Sequence, residues 1–101
     1  MSSRYPDFAS FYPFYLSEHR NTVCRRLHFA GSLGVLFCLA MLLSGHGWGW
    51  LLAGLASGYG CAWIGHFFFE HNRPATFSYP LYSFMGDWAM FRDICRGRIR
   101  L

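Results

Sequence analysis

The sequence predicts an all-α membrane protein, a helical hairpin of two transmembrane spans with interfacial helices at both ends. Three observations predict it. From residue 29 to residue 65 the chain carries no Asp, Glu, Lys or Arg. A bilayer core of about 30 Å needs about 20 apolar residues per helical crossing, so that stretch is too long for one crossing and suits two. Its middle reads Ser44-Gly45-His46-Gly47-Trp48-Gly49-Trp50: the glycines break a helix, and the tryptophans suit the headgroup belt. Finally, only 14% of the 101 residues are charged, against roughly 25% in an ordinary soluble domain. This composition excludes a disordered tail, a nucleic-acid arm and a disulfide-framed secreted module, and the length supports one domain, 1–101.

The elements follow in order. Residues 8–16 form an aromatic-rich run expected at the interface, with Pro13 limiting how regular its helix can be. The region before residue 20 lacks the basic start, apolar run and small-residue site of a signal peptide. Asn21 is an N-cap for a helix that passes Arg25, Arg26 and His28 into a first span at about 29–45. The second span covers about 48–69. Gly31, Gly34 and Cys38 on the first span, and Gly54, Gly58, Cys61 and Gly65 on the second, form small-residue faces. Such faces predict either a close hairpin or a homodimer through the glycines. Pro80 sits in the first turn of an amphipathic helix, about 80–96, whose stripe is Leu81, Phe84, Met85, Trp88, Phe91 and Cys95, with Asp87 and Asp93 on other faces. A buried two-helix core of a soluble protein is the competing fold, but the remaining chain is too short and too broken by Pro and Gly to cover it.

All nine basic residues are arginines. Arg4, Arg20, Arg25 and Arg26 precede the hairpin, the other five follow it, and the Gly-Trp turn has none. The positive-inside rule then puts both termini on the cytoplasmic side, in the inner or plasma membrane of a prokaryote or the endoplasmic reticulum of a eukaryote. The four cysteines form no CxxC pair and read as free thiols.

Chemistry is concentrated in the histidines. His19, His28, His66 and His71 fall near the cytoplasmic mouth, whereas His46 is about 27 Å from His28 at 1.5 Å per residue and belongs to the opposite surface. His66 and Glu70 are i and i+4, one turn apart on one face. His19 and His28 are half a turn out of phase and can share a site only if the chain bends near Asn21. Nitrogen and oxygen donors of this kind suit Fe(II), Zn(II) or Mn(II). Headgroup or backbone contacts are the plainer reading of interfacial histidines, and Arg25 and Arg26 suit lipid headgroups. Arg73 can serve Glu70 as a simple ion-pair partner. His71, five residues after His66, is the weakest ligand candidate.

Two segments carry a resemblance. His19-Arg20-Asn21 with Arg26-Leu27-His28 fits H-x-N-x(6)-H, and Gly65-His66-Phe67-Phe68-Phe69-Glu70 with Arg73-Pro74-Ala75 fits G-H-x-x-x-E-x-x-x-P-A. They resemble the paired motifs of a membrane family typified by the fungal 2-hydroxy fatty acid dioxygenase of the endoplasmic reticulum, over about residues 12–77. The resemblance implies an Fe(II)-dependent alpha-oxidation in which O2 shortens a long-chain 2-hydroxy fatty acid by one carbon. It makes His19, His28 and His66 the metal ligands, Glu70 a fourth ligand or an orienting group in catalysis, and Asn21 a supporting or capping residue. Charge and position add Arg73, Arg20 or Arg25 as holders of the substrate carboxylate. The acyl chain would lie along the hairpin within membrane lipid. Longer members continue with more apolar sequence after the Pro-Ala motif. Here residues 78–101 are amphipathic and Arg-rich, so a homodimer through the glycine faces would complete the acyl pocket. The alternatives are a non-catalytic membrane module that binds headgroups or promotes assembly, and a haem hairpin using His28 and His66.

Overall fold

The computed structural model describes residues 5–101, so Arg4 lies outside the described residues. Among the described residues the fold is all-helical, with four α-helices: α1 Phe8–Ser17, α2 Thr22–Leu43, α3 Gly49–Ile64 and α4 Pro80–Cys95. A π-helical turn, Gly65–Glu70, continues α3, and a short 3-10 turn, Ala75–Phe77, leads to α4. The helix Thr22–Leu43 and the continuous Gly49–Glu70 are each 22 residues long and apolar enough to cross a membrane.

Helix α2 starts where the cap chemistry directs. The Asn21 side chain accepts from the backbone N–H groups of Val23 and Cys24, two donors that the first turn leaves without partners. The hairpin turns through Gly45 and Gly47, at φ 85° and 111°, values that L side chains rarely adopt. Along the hairpin the two small-residue faces meet each other. A Cβ on Gly31 would stand 2.8 Å from the Ser57 carbonyl oxygen, one on Gly34 2.1 Å from Ser57 Oγ, and one on Gly65 2.9 Å from Cys24 Sγ. Ser57 Oγ also donates to the Gly31 carbonyl at 3.1 Å. The glycines therefore close the hairpin within one chain, and the faces expected to join two copies are already in use.

Only 22% and 17% of the apolar windows of these helices are buried in the fold. Leu33, Phe37, Leu43, Leu52, Leu55 and Phe68 all point outward. That is the reverse of a buried two-helix core, in which such side chains face inward.

The flanking helices fold onto the mouth of the hairpin and against each other. α1 runs unbroken through Pro13, its sixth residue, although a proline there cannot donate to the carbonyl four residues back. The proline thus limits regularity less than the sequence suggests. Phe11 and Tyr15 of α1 are fully buried in a cluster with Tyr79, Met90 and Ile94, flanked by the rings of Tyr5, Phe8, Phe14 and Tyr82. The aromatic run is the core of the capping layer.

α4 begins with Pro80 in its first turn, as expected, but its inward face differs from the expected one. Ser83, Gly86, Ala89, Met90, Asp93 and Ile94 are buried, while Leu81, Phe84 and Met85 are exposed. Gly86 sits on the Tyr15 ring, so a Cβ there would meet Cδ2 at 2.7 Å. Asp93 accepts from Tyr12 Oη at 2.8 Å, and Asp87 accepts from Tyr15 Oη. Both carboxylates thus face the protein. The large apolar stripe is left for the groove, for Phe29, whose ring stacks on Phe91 at 4.9 Å, and for the surroundings. All four cysteines are free.

Candidate metal centre

Three segments converge at the mouth of the hairpin. His19 follows α1, His28 lies in the second turn of α2, and His66 lies in the π-helical turn that ends α3. The bend required between His19 and His28 is the break between α1 and α2 around Asn21. The backbone N–H of Asn21 donates to the Glu70 carboxylate, and Arg25 donates to the carbonyls of His19 and Arg20 at 3.2 and 2.7 Å. The turn carrying His19 is therefore tied both to α2 and to the end of α3.

The three imidazoles are buried, with exposures of 2, 6 and 2% for His19, His28 and His66. Their Nε2 atoms face one another: His19 Nε2 lies 3.0 Å from that of His28 and 2.9 Å from that of His66. The tautomers follow from the opposite ring nitrogens. His19 Nδ1 meets the Tyr15 carbonyl at 2.6 Å, His28 Nδ1 the Cys24 carbonyl at 3.0 Å, and His66 Nδ1 the Asn72 Oδ1 at 2.7 Å. The Asn72 amide is oriented by its Nδ2, which donates to the Glu18 carbonyl at 3.3 Å. Each of these partners only accepts, so each Nδ1 carries the hydrogen and each Nε2 presents a lone pair. Three lone pairs aimed at one another have no proton to share.

A cation resolves that arrangement. Imidazole nitrogens bind transition metals at about 2.0–2.1 Å, and two such ligands at right angles are about 3 Å apart. Each Nδ1–H is fixed by a carbonyl or amide oxygen, the outer support that metal-ligating histidines characteristically have. Burial and the neighbouring His28 and His66 push His19 well below the ordinary histidine range, which keeps it in the neutral form that ligates. The donor set fits a divalent transition metal.

Two cavities adjoin at this point. The small one, about 10 Å³, is lined by all three histidines together with Tyr15, Tyr59, Thr76, Ser83 and Asp87 among others; a void of that size holds about one water-sized species. The larger, about 200 Å³, runs down the hairpin between α2, α3 and α4, from His28 and Ser32 past Val35 and Leu39 to Leu42 and Trp50. His28, Tyr59, Ala62 and Asp87 line both. The wall that a second copy was expected to supply is provided in part by Phe84, Asp87 and Trp88 of α4.

The other residues singled out in the sequence take these places. Glu70 holds the Asn21 backbone, and Asn21 also reaches the Phe69 carbonyl through its side chain at 3.4 Å. The cluster of ligand atoms within 4.8 Å of one another comprises His19, His28 and His66, without Glu70. The Arg25 guanidinium is engaged with backbone carbonyls, including that of Arg100. Arg73 lies over the Phe77 ring at 5.2 Å, and Arg20 is exposed. His46 is at the far turn, bonded to Ser44. His71 is exposed and left-handed at φ 59°. Sequence reasoning missed Asn72, Ser83, Asp87 and Tyr15. The one available signal was Asp87, the single charged residue between Pro80 and Phe91. Burial pushes it up to about 6, against the opposing hydrogen bond from Tyr15.

No curated protein and no solved structure matches the chain significantly. The motif pair, the three buried histidines and the hairpin that carries them agree with a family model that matches residues 5–99: the chain belongs to the Mpo1-like family, described as 2-hydroxy-palmitic acid dioxygenase Mpo1-like.

Proposed function

We propose that the chain is an Fe(II)-dependent membrane dioxygenase that shortens long-chain 2-hydroxy fatty acids by one carbon. The observation that carries this reading is the junction of three lone-pair nitrogens with the end of a long apolar groove. From His28 to Leu42 the groove follows α2 for about 21 Å at 1.5 Å per residue, comparable with the acyl chain of one leaflet, about half of a 30 Å core. The family name supports the substrate class. Overall, a 2-hydroxy acid and O2 give the shortened acid, CO2 and water, with O2 as the sole oxidant.

Bound Fe(II), held by His19, His28 and His66, supplies the capacity to bring O2 and the hydroxy acid together. The chain's own residues hold and orient. Tyr15, Cys24 and Asn72 fix the ring orientations through Nδ1, and Glu70 secures the turn of His19 by accepting from Asn21, so that its part in catalysis is positional. Arg73 and Arg20, on the segments that flank the site, are the carboxylate partners. The apolar walls exclude water from the buried nitrogens. The hairpin is embedded in lipid, with both termini on the arginine-rich cytoplasmic side.

Headgroup binding is the weaker reading, because the three histidines are buried among protein atoms. A haem between His28 and His66 is disfavoured by His19, whose ring centroid lies 4.4 Å from each of theirs, where a porphyrin would have to pass. The test is incubation of detergent-purified, Fe(II)-loaded protein with 2-hydroxypalmitate under O2, with products read by mass spectrometry. We expect the acid one carbon shorter, its loss in His28→Ala and His66→Ala, and its persistence in His46→Ala. Metal-replete protein that makes no shortened acid sinks the proposal.

A further inference from the structure

Ser83 is 2% exposed, and its Oγ has no hydrogen-bond partner among the described residues. A buried hydroxyl without a partner costs stability and is rare in a folded chain. It lines the small cavity occupied by the histidine triad. One turn further along α4 is Asp87, which lines both that cavity and the acyl groove. Tyr15 is the only hydrogen-bond donor to Asp87 among the described residues and takes one of its oxygens.

From this arrangement we infer that Ser83 and Asp87 form a polar subsite that reads the 2-hydroxyl of the substrate. The inference rests on the proposed substrate class and deepens it by naming the residues that set specificity. Residues at i and i+4 on a helix have Cβ atoms about 5–6 Å apart, and one oxygen accepting from one group and donating to the other spans about 5.5 Å at ordinary hydrogen-bond lengths. An alcohol is the group that can do both. Its oxygen accepts from Ser83 Oγ–H, and its hydrogen goes to the free carboxylate oxygen of Asp87. An unsubstituted fatty acid leaves both groups unpaired, and a buried polar site rejects such an analogue more strongly than an apolar pocket rejects a change of size. Chain length is then read by the groove and oxidation state at C2 by α4. Both are positioning and specificity residues; neither touches the nitrogens that would hold metal.

Binding tests this without turnover. Full-length protein in detergent, loaded with Zn(II), is titrated with 2-hydroxypalmitate, 3-hydroxypalmitate and palmitate, with quenching of tryptophan fluorescence as the readout, since Trp50 and Trp88 line the groove. The wild type binds the 2-hydroxy acid at least about tenfold more tightly than the other two. Ser83→Ala brings that ratio to within a few-fold, with a melting temperature equal or higher, because no protein hydrogen bond is removed. Asp87→Leu abolishes the ratio. A purely structural Ser83 would leave the ratio untouched. Equal wild-type affinities, or a ratio preserved in Ser83→Ala, overturn the inference whether or not Asp87→Leu folds. If the iron-loaded wild type makes no shortened acid while the ratio and its loss in Ser83→Ala are observed, the proposed reaction fails and the subsite stands.

Discussion

The Nδ1 of His66 lies 2.7 Å from the side-chain oxygen of Asn72, a contact that an α-helix cannot make between residues six apart. The π-helical turn of Gly65–Glu70 and the left-handed His71 at φ 59° bring the chain back on itself, and the backbone N–H of Asn72 bonds to the His66 carbonyl at 3.1 Å. π-helical turns recur at functional sites, and this one makes Asn72 the group that sets a ligand's tautomer.

Replacing Asn72 with Leu removes that acceptor and leaves His66 free to rotate or to change tautomer. Loss of such outer support typically lowers metal affinity about 10–100-fold. Competition with a chromophoric chelator should show a loss in that range for Asn72→Leu and near-native affinity for Asn72→Asp, which keeps an acceptor in place. Equal affinity in all three proteins would mean that Asn72 does not orient His66.

Glu70 can be separated into ligand and support by the same measurement. Its carboxylate accepts from the Asn21 backbone N–H, and a glutamine oxygen can accept that bond as well. Glu70→Gln is therefore expected to retain most metal affinity and Glu70→Ala to lose it by about tenfold or more. Equal, severe loss in both would identify the carboxylate as a direct ligand.

The hairpin gives a stability prediction with an internal control. A Cβ at Gly31 would meet the Ser57 backbone oxygen at 2.8 Å, whereas one at Gly60 meets nothing within 4 Å. Gly31→Ala should lower stability by about 1–3 kcal/mol, the usual cost of overpacking, and Gly60→Ala should raise it by up to about 1 kcal/mol through helix propensity. Thermal melts in one detergent decide it. Matching shifts would mean that the interhelical contact is looser than the backbone positions require.

Much of this was legible in the sequence, for identifiable reasons. An uncharged stretch long enough for two crossings, broken by glycines, gives a hairpin; Asn21 and Pro80 mark helix starts by their own chemistry; and the half-turn phase difference between His19 and His28 requires a bend near Asn21 if they are to meet. The inward face of α4 was not legible, because periodicity identifies the most apolar stripe but not what it faces. Where the surroundings of a helix are themselves apolar, large side chains can point outward while Ser83, Gly86 and Asp87 point in. Pairings between α1 and α4, such as Tyr15 with Asp87, depend on tertiary packing that no local pattern encodes. Asn72 was missed because its role depends on a non-α turn.

The pH dependence of the metal-free protein contains two opposing slopes. Burial, with His28, His66 and Arg25 nearby, holds His19 below its ordinary value, so the unfolded chain takes up its proton first, near 6.5. Stability from His19 is therefore full above that pH and falls below it, by at most about 1.4 kcal/mol per pH unit. Asp87, raised to about 6 by burial, works the other way. The folded state takes up its proton first, so its contribution grows as pH falls from about 6 towards 4. Melting of chelator-treated protein should weaken as pH falls from 7 towards 4, because three buried histidines outnumber the one opposing carboxyl. In Asp87→Asn the weakening below pH 6 should be steeper, without the offset. A variant whose melting falls no more steeply than that of the wild type would show that Asp87 does not titrate in that window.

The groove makes chain length a property of position along α2. Leu39 lines it and is 46% exposed, so a larger side chain there can enter the groove without displacing buried neighbours. It lies eleven residues from His28, about 16 Å at 1.5 Å per residue, short of the groove's end at Leu42 and Trp50. Leu39→Trp should therefore weaken binding of 2-hydroxypalmitate about tenfold or more, while binding of 2-hydroxy acids several carbons shorter changes little. A change at the site itself would affect all lengths alike, because every substrate presents the same hydroxy-carboxyl end to His28 and Asp87. Uniform loss across lengths in fluorescence titrations would thus place the acyl chain elsewhere, whereas loss that grows with length would fix its path between α2 and α3.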